Sequence, residues 1–227
     1  MLKKLISKQT ALAAALVVAT SFGATSAQAA DSVHFLIPGG AGGGWDGTAR
    51  GTGEALTKSG LLDSASYENM SGGGGGKAIA HLIETSDQAH GTLMVNSTPI
   101  VIRSLSGVFP QNFRDLTPIA ATIGDYAAFV VPTASEYQSF ADIVADYQAD
   151  PRSIAVAGGS SRGGMDHLVA AMAFKAAGGD PTQVKYVAYD AGGKAMAGML
   201  SGETHVLSTG FSEAIAMMNA GEVRILA

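Results

Sequence analysis

The chain has 227 residues, of which 47% are apolar and 15% charged, with 30 glycines and no cysteine. That is enough apolar length for one large domain or two modest ones, and it excludes wholesale disorder and a disulfide framework. A formal charge of −5 argues against nucleic acid and anionic membrane surfaces as partners.

Residues 1–29 read as an export signal. Lys3, Lys4 and Lys8 make a basic start, residues 10–22 are apolar, and Ala27-Gln28-Ala29 offers the small-x-small pattern of a cleavage site. The apolar stretch is short for a bilayer span. Removing this leader leaves 11 basic against 19 acidic side chains, a balance of −8. An anionic ligand must then be held by local fields and not by overall charge. The expected product is exported, periplasmic and monomeric, cleaved near Ala29.

Strands and helices alternate along the rest. Residues 33–37 form a short apolar strand, followed by a glycine-rich turn and a helix over 45–59 stopped by Gly60. Ala78, Ile79, Leu82 and Ile83 share one helical face. Strands are expected over 92–97, 119–123 and 127–131, the last closed by Pro132. Phe140, Ile143, Val144 and Tyr147 then fall at helical spacing behind Ser139 as N-cap. Three strand–helix units follow: 154–157 with 165–177, 184–189 with 194–200, and 205–207 with 212–219. A last apolar strand occupies 223–226. This order predicts an α/β fold with mostly parallel sheets covered on both faces. The composition break at 132–139 suggests a passage between two lobes, 30–133 and 134–227.

Ligands of open α/β sheets sit beyond the carboxyl ends of strands. The glycines cluster there, at 39–44, 72–76, 158–164 and 192–193. Glycine leaves backbone N–H groups uncovered, and at a helix start such groups attract anions.

Three motifs compete with a simple binding role. Residues 42–47 fit a dinucleotide fingerprint, but a chain this rich in glycine matches it by chance. Residues 71–78 resemble a phosphate loop yet lack its first glycine and its hydroxyl, leaving Lys77 as a solvated helix-start residue. Residues 159–163 fit G-x-S-x-G between a strand and a helix, followed by Asp190 and His205 in hydrolase order. The alternative reading is therefore a secreted serine hydrolase with Ser161 as nucleophile, His205 as base and Asp190 as orienting acid. No cofactor or metal motif is found, since the five histidines show no ligating spacing.

Taken in order, these loops resemble the substrate-binding receptors of tripartite tricarboxylate transporters, the Bug receptors. The likeness rests on PGGAGGGWDGTAR over 38–50, the glycine run at 72–76, Gly159-Ser160-Ser161 with His167, and Tyr189-Asp190-Ala191-Gly192-Gly193. It implies a two-lobe, type II periplasmic-binding fold that closes on a small carboxylate, citrate-like by preference or a dicarboxylate, and delivers it to a membrane permease without catalysis. The resemblance places Gly43, Gly44, Trp45 and Asp46 along the first lobe, with Gly73, Gly74, Gly75, Ser97 and Thr98 beside them. Ser160, Ser161, His167, Tyr189 and Gly192 line the second. Asp46 is expected to accept backbone N–H bonds or start its helix, and Arg50 to be solvated. Relatives continue past the strand at 223–226 to complete the first lobe, so that lobe is expected to be incomplete here.

Overall fold

The computed structural model describes residues 31–227, so the export signal lies outside the described residues. Two sheets organise the chain. The first has three parallel strands in the order β2-β1-β3: β1 (Ser32–Ile37), β2 (Ser64–Asn69) and β3 (Thr92–Met94). Between them run α1 (Gly44–Lys58) and α2 (Gly76–Glu84). Successive strand residues face opposite sides, so Phe35 and Ile37 both turn onto α1, where Ala49, Trp45 and Leu56 meet them. Gly53 on α1 exists for this contact: a Cβ there would strike the Tyr67 hydroxyl and lie 2.9 Å from the Ala65 methyl.

Helix α3 (Thr98–Leu105) follows β3, and a segment whose one regular element is a short 3-10 turn at Phe113–Asp115 then leads to the second sheet. Here the order is β6-β5-β7-β4-β8, formed by β4 (Ala127–Pro132), β5 (Ala155–Gly158), β6 (Lys185–Ala188), β7 (Val206–Gly210) and β8 (Val223–Ile225). Strands β6, β5 and β7 are parallel; β4 runs antiparallel to both β7 and β8. The helices are α4 (Phe140–Ala149), α5 (Met165–Ala176), α6 (Gly192–Leu200) and α7 (Phe211–Asn219).

Strand β4 explains how this sheet is covered twice. Phe129 and Val131 enter a core with Ile143, Tyr147 and Phe174. Ala128 and Val130 enter another with Met196, Met199 and Ala214. A strand buried on both faces has no place for polar alternation, hence its continuous apolar run. Ser139 and Asp142 cap α4 reciprocally, the pairing that satisfies two otherwise orphaned amides at a helix start.

Three expectations are corrected. Residues 119–123 form no strand: Ile119 and Ile123 are exposed, and the β-branched run has no strand alongside to pair with. Strand β2 and helix α3 were not anticipated. The strand reads SASYEN, alternately exposed and half-buried, and carries too few apolar residues to announce itself. In addition, β4 pairs in the second sheet, although it fell on the first side of the expected passage at 133.

Candidate functional site

Loops from the two sheets meet directly, within a single cluster of contacts spanning the described residues. The β1–α1 loop abuts the segment before α6. A Cβ on Gly40 would lie 3.1 Å from the Asp190 carbonyl and 3.2 Å from the Ala191 methyl, and one on Gly43 would lie 3.3 Å from that same methyl. On the other side of the seam, a Cβ on Gly74 would lie 3.2 Å from Ser161 Oγ. Ser71 donates its hydroxyl to Asp190 across the seam. Beside it, an open groove of about 700 Å³ runs from Gly42–Gly44 along α1 to Thr122, Ile123, Ser212 and Glu213.

In the first loop the left-handed residue is Gly42, with φ 79, which any side chain would strain. Gly43 and Gly44 have no such need. Gly43 is the N-cap of α1 and supplies no side-chain cap, so the first-turn amides of the helix have no partner within it. Asp46 in that turn is buried. Its Oδ2 accepts the Gly42 amide at 3.0 Å, and its Oδ1 accepts Arg50 Nε and Asn69 Nδ2, each at 3.0 Å. Burial pushes the Asp46 carboxyl up, but Arg50, the Gly42 amide and Asn69 together hold it below its ordinary value. Asp46 thus folds the loop back onto its own helix. Arg50 is solvated as expected, with its side chain 49% exposed, while its Nε pairs with Asp46 and its guanidinium lies 4.9 Å over the Tyr67 ring.

Trp45 donates Nε1 to Ser97 Oγ at 2.8 Å, tying the start of α1 to the start of α3. Ser97 and Thr98 are exposed at that edge. Gly72, Gly73, Gly74 and Gly75 all have positive φ, from 59 to 140, so this run is a turn only glycine makes easily. Gly75 is buried and crowds Ile100, whereas Gly73 is exposed.

The second sheet contributes the loop after β5. Ser160 is spent internally: its amide donates to Asp166 Oδ2 at 2.9 Å, and its Oγ accepts the Asp166 amide at 3.0 Å. His167 Nδ1 accepts the Gly163 amide at 2.9 Å, and burial, with Arg162 nearby, lowers its pKa. It therefore acts as a neutral acceptor that shapes the loop. Ser161 stands at the seam with its hydroxyl against Gly74. Gly192, at the start of α6, is buried against the Glu213 carboxylate. Tyr189 is not brought to the loops. Its hydroxyl is buried over Gly198 on α6, where burial pushes it up to about 12.

The hydrolase arrangement does not form. His205 Nδ1 accepts the Ala155 amide at the first residue of β5, while Ser161 lies beyond the last. The strand between them spans about 10 Å at a rise of about 3.3 Å per residue. Asp190 is taken by Ser71 and by Lys194, 3.3 Å away, and the Ser71 hydroxyl in particular holds its carboxyl below the ordinary value. Sequence order satisfied the motif; the ends of the sheet keep its members apart.

The family model of tripartite tricarboxylate transporter family receptors matches residues 50–227, which include every loop above except the first. The chain belongs to this receptor family. Its members are periplasmic solute-binding proteins, and no helix among the described residues is long and apolar enough to cross a membrane. Solved structures bear out the α/β periplasmic-binding fold. The periplasmic binding protein BugD superposes with a TM-score of 0.73 at 16% identity, over 86% of this chain and 64% of that one. MatC from Rhodopseudomonas palustris, with bound malate, gives 0.69 at 17% identity, over 86% of this chain and 66% of MatC. A further R. palustris protein, with adipate, gives 0.71 at 20% identity, over 86% and 64%. The receptor-family chain thus spans less than two thirds of the length of each. No curated protein matches it.

Proposed function

We propose that this chain is an exported, non-catalytic receptor that captures a small carboxylate between two lobes and delivers it to a membrane permease. The lobes follow the two sheets, with β4 counted in the second. The observation that carries this reading is the meeting of glycine-rich loops from both sheets around few engaged side chains, at Gly40 and Gly43 against Ala191 and at Gly74 against Ser161. Backbone amides at the starts of α1 and α6, with the hydroxyls of Ser97, Thr98 and Ser161, form a donor set suited to a carboxylate. Trp45 sets the edge of this set through Ser97, and Asp46, Ser160 and His167 hold the loops that present it. The ligands of MatC and its R. palustris neighbour, malate and adipate, are dicarboxylates. Dicarboxylates are therefore proposed alongside citrate-like tricarboxylates, since backbone donors suit either.

A thermal-shift screen of mono-, di- and tricarboxylates on the chain from Ala30 onward tests the reading. A ligand at a hundred times its Kd should stabilise the fold by about 2.7 kcal/mol. A flat response to every carboxylate, or turnover of an ester, would overturn it.

A further inference from the structure

Arg103, on the last turn of α3, is a cation at the seam without a carboxylate partner. Its Nη1 donates to the Arg162 carbonyl at 3.0 Å, bridging α3 to the loop after β5. Its Nε is buried and has no hydrogen-bond partner. Among the described residues no carboxylate pairs with it, whereas Arg50, Lys58 and Lys194 each have one. A Cβ on Gly74 would lie 2.9 Å from Nε and 3.2 Å from Ser161 Oγ, and one on Gly163 would lie 3.3 Å from Nη1.

A guanidinium is never neutral in a protein, and an unpaired buried N–H costs a good part of a hydrogen bond. A cation with one backbone acceptor, an unpaired Nε and no carboxylate, beside a serine hydroxyl and two glycines, is a site short of an anion. Nε and the adjacent Nη form the edge that takes a carboxylate in two parallel bonds. We propose that Arg103 anchors one carboxylate of the ligand and makes the receptor select ligands carrying two or more. The first carboxylate rests on the backbone amides and the second on Arg103 and Ser161. Gly74 is required there because a methyl group would occupy the space before Nε. This inference rests on the receptor reading above and adds what backbone donors alone cannot supply, a count of carboxylates.

A latch between the sheets is the other role the Arg162 contact allows, and the two roles separate by ligand. Calorimetric titrations of lactate, malate and citrate into the chain and into Arg103→Gln are expected to show malate and citrate weakened about tenfold or more. Lactate should change by less than about threefold, within the effect of one neutral hydrogen bond. Arg103→Lys, which keeps the charge without the paired edge, should fall between and also serves if the glutamine variant does not fold. Equal losses for lactate and malate in either variant make Arg103 a latch and overturn the proposal, as does unchanged affinity for all three. Failure of the unaltered chain to bind any of the three acids sinks the receptor reading itself.

Discussion

Asp166 offers the sharpest test of the loop after β5, because its charge works against the fold that its geometry supports. The carboxylate accepts the Ser160 amide at 2.9 Å, the Asp166 Cβ lies against Gly158, and Glu213 is near enough to repel the charge. Burial first, and then Glu213, outweigh the hydrogen bonds and push its pKa up to about 6, from an ordinary 3.8. An acid whose folded pKa is raised binds its proton more tightly in the fold. Stability is therefore greatest below about pH 4, declines as pH rises between the two values, and is fully reduced above about 6. The gap corresponds to at most about 3 kcal/mol, a ceiling because the residue as a whole is only half-buried. Asp166→Asn keeps an oxygen for the Ser160 amide and removes the charge. Urea unfolding at pH 4, 5, 6 and 7 should find the variant about as stable as the parent at pH 4 and up to about 3 kcal/mol more stable at pH 7. A difference that stays constant across this range would refute the assignment of the cost to ionisation.

Other substitutions separate the jobs of individual glycines and of Asp46. Gly159→Ala places a methyl against the Ala191 carbonyl carbon at 2.6 Å and the Gly192 Cα at 2.7 Å, backbone atoms that cannot swing aside, so thermal unfolding should report a loss of about 1–3 kcal/mol. Gly47→Ala, inside α1 with open space around it, should gain about 0.5–1 kcal/mol by the same measurement. Asp46→Ala removes the acceptor of Gly42, Arg50 and Asn69 and should cost about 1–3 kcal/mol at pH 7. Because the folded pKa of Asp46 is depressed, that cost should shrink as pH falls below about 4, and a cost independent of pH would show that the carboxylate's charge is not what holds the loop.

Elements that bury a whole face were legible in the sequence. Strand β1, helix α1, capped α4 and the strand–helix units from β5 to α7 all lie within a few residues of their expected bounds. Their apolar spacing, terminal glycines and N-caps report the same contacts that fold them. Strand β2 was illegible because its partners lie on one side only: it pairs with β1 at the edge, and Tyr67 alone stacks on Phe35 with ring centres 5.6 Å apart. The opposite error, at 119–123, has the same root. Ile119 and Ile123 have strand-forming side chains but no neighbouring strand, and β-propensity reports fit to a half-buried sheet more than any preference of the backbone.

The loops of the candidate site were legible as locations and not as roles. Glycine appears as one letter for three different physical needs. Gly72–Gly75 need positive φ, Gly159 needs room for a neighbouring backbone, and Gly47 needs neither. Polar residues beside them divide in the same way. Ser160 and His167 are consumed in holding their loop, Tyr189 turns into the core, and Ser161 is left at the seam. Sequence spacing could not make that division, because each is within three residues of a glycine. Arg103 was missed for a complementary reason: it is on α3, a helix not anticipated, and 58 residues separate it from the serine it approaches. Its signal is a deficit, a buried donor with no acceptor, and a deficit is visible only once every neighbour has been placed. Where backbone crowding forces most residues near a seam to be glycine, the few side chains that remain unpaired there carry what discrimination the site can have.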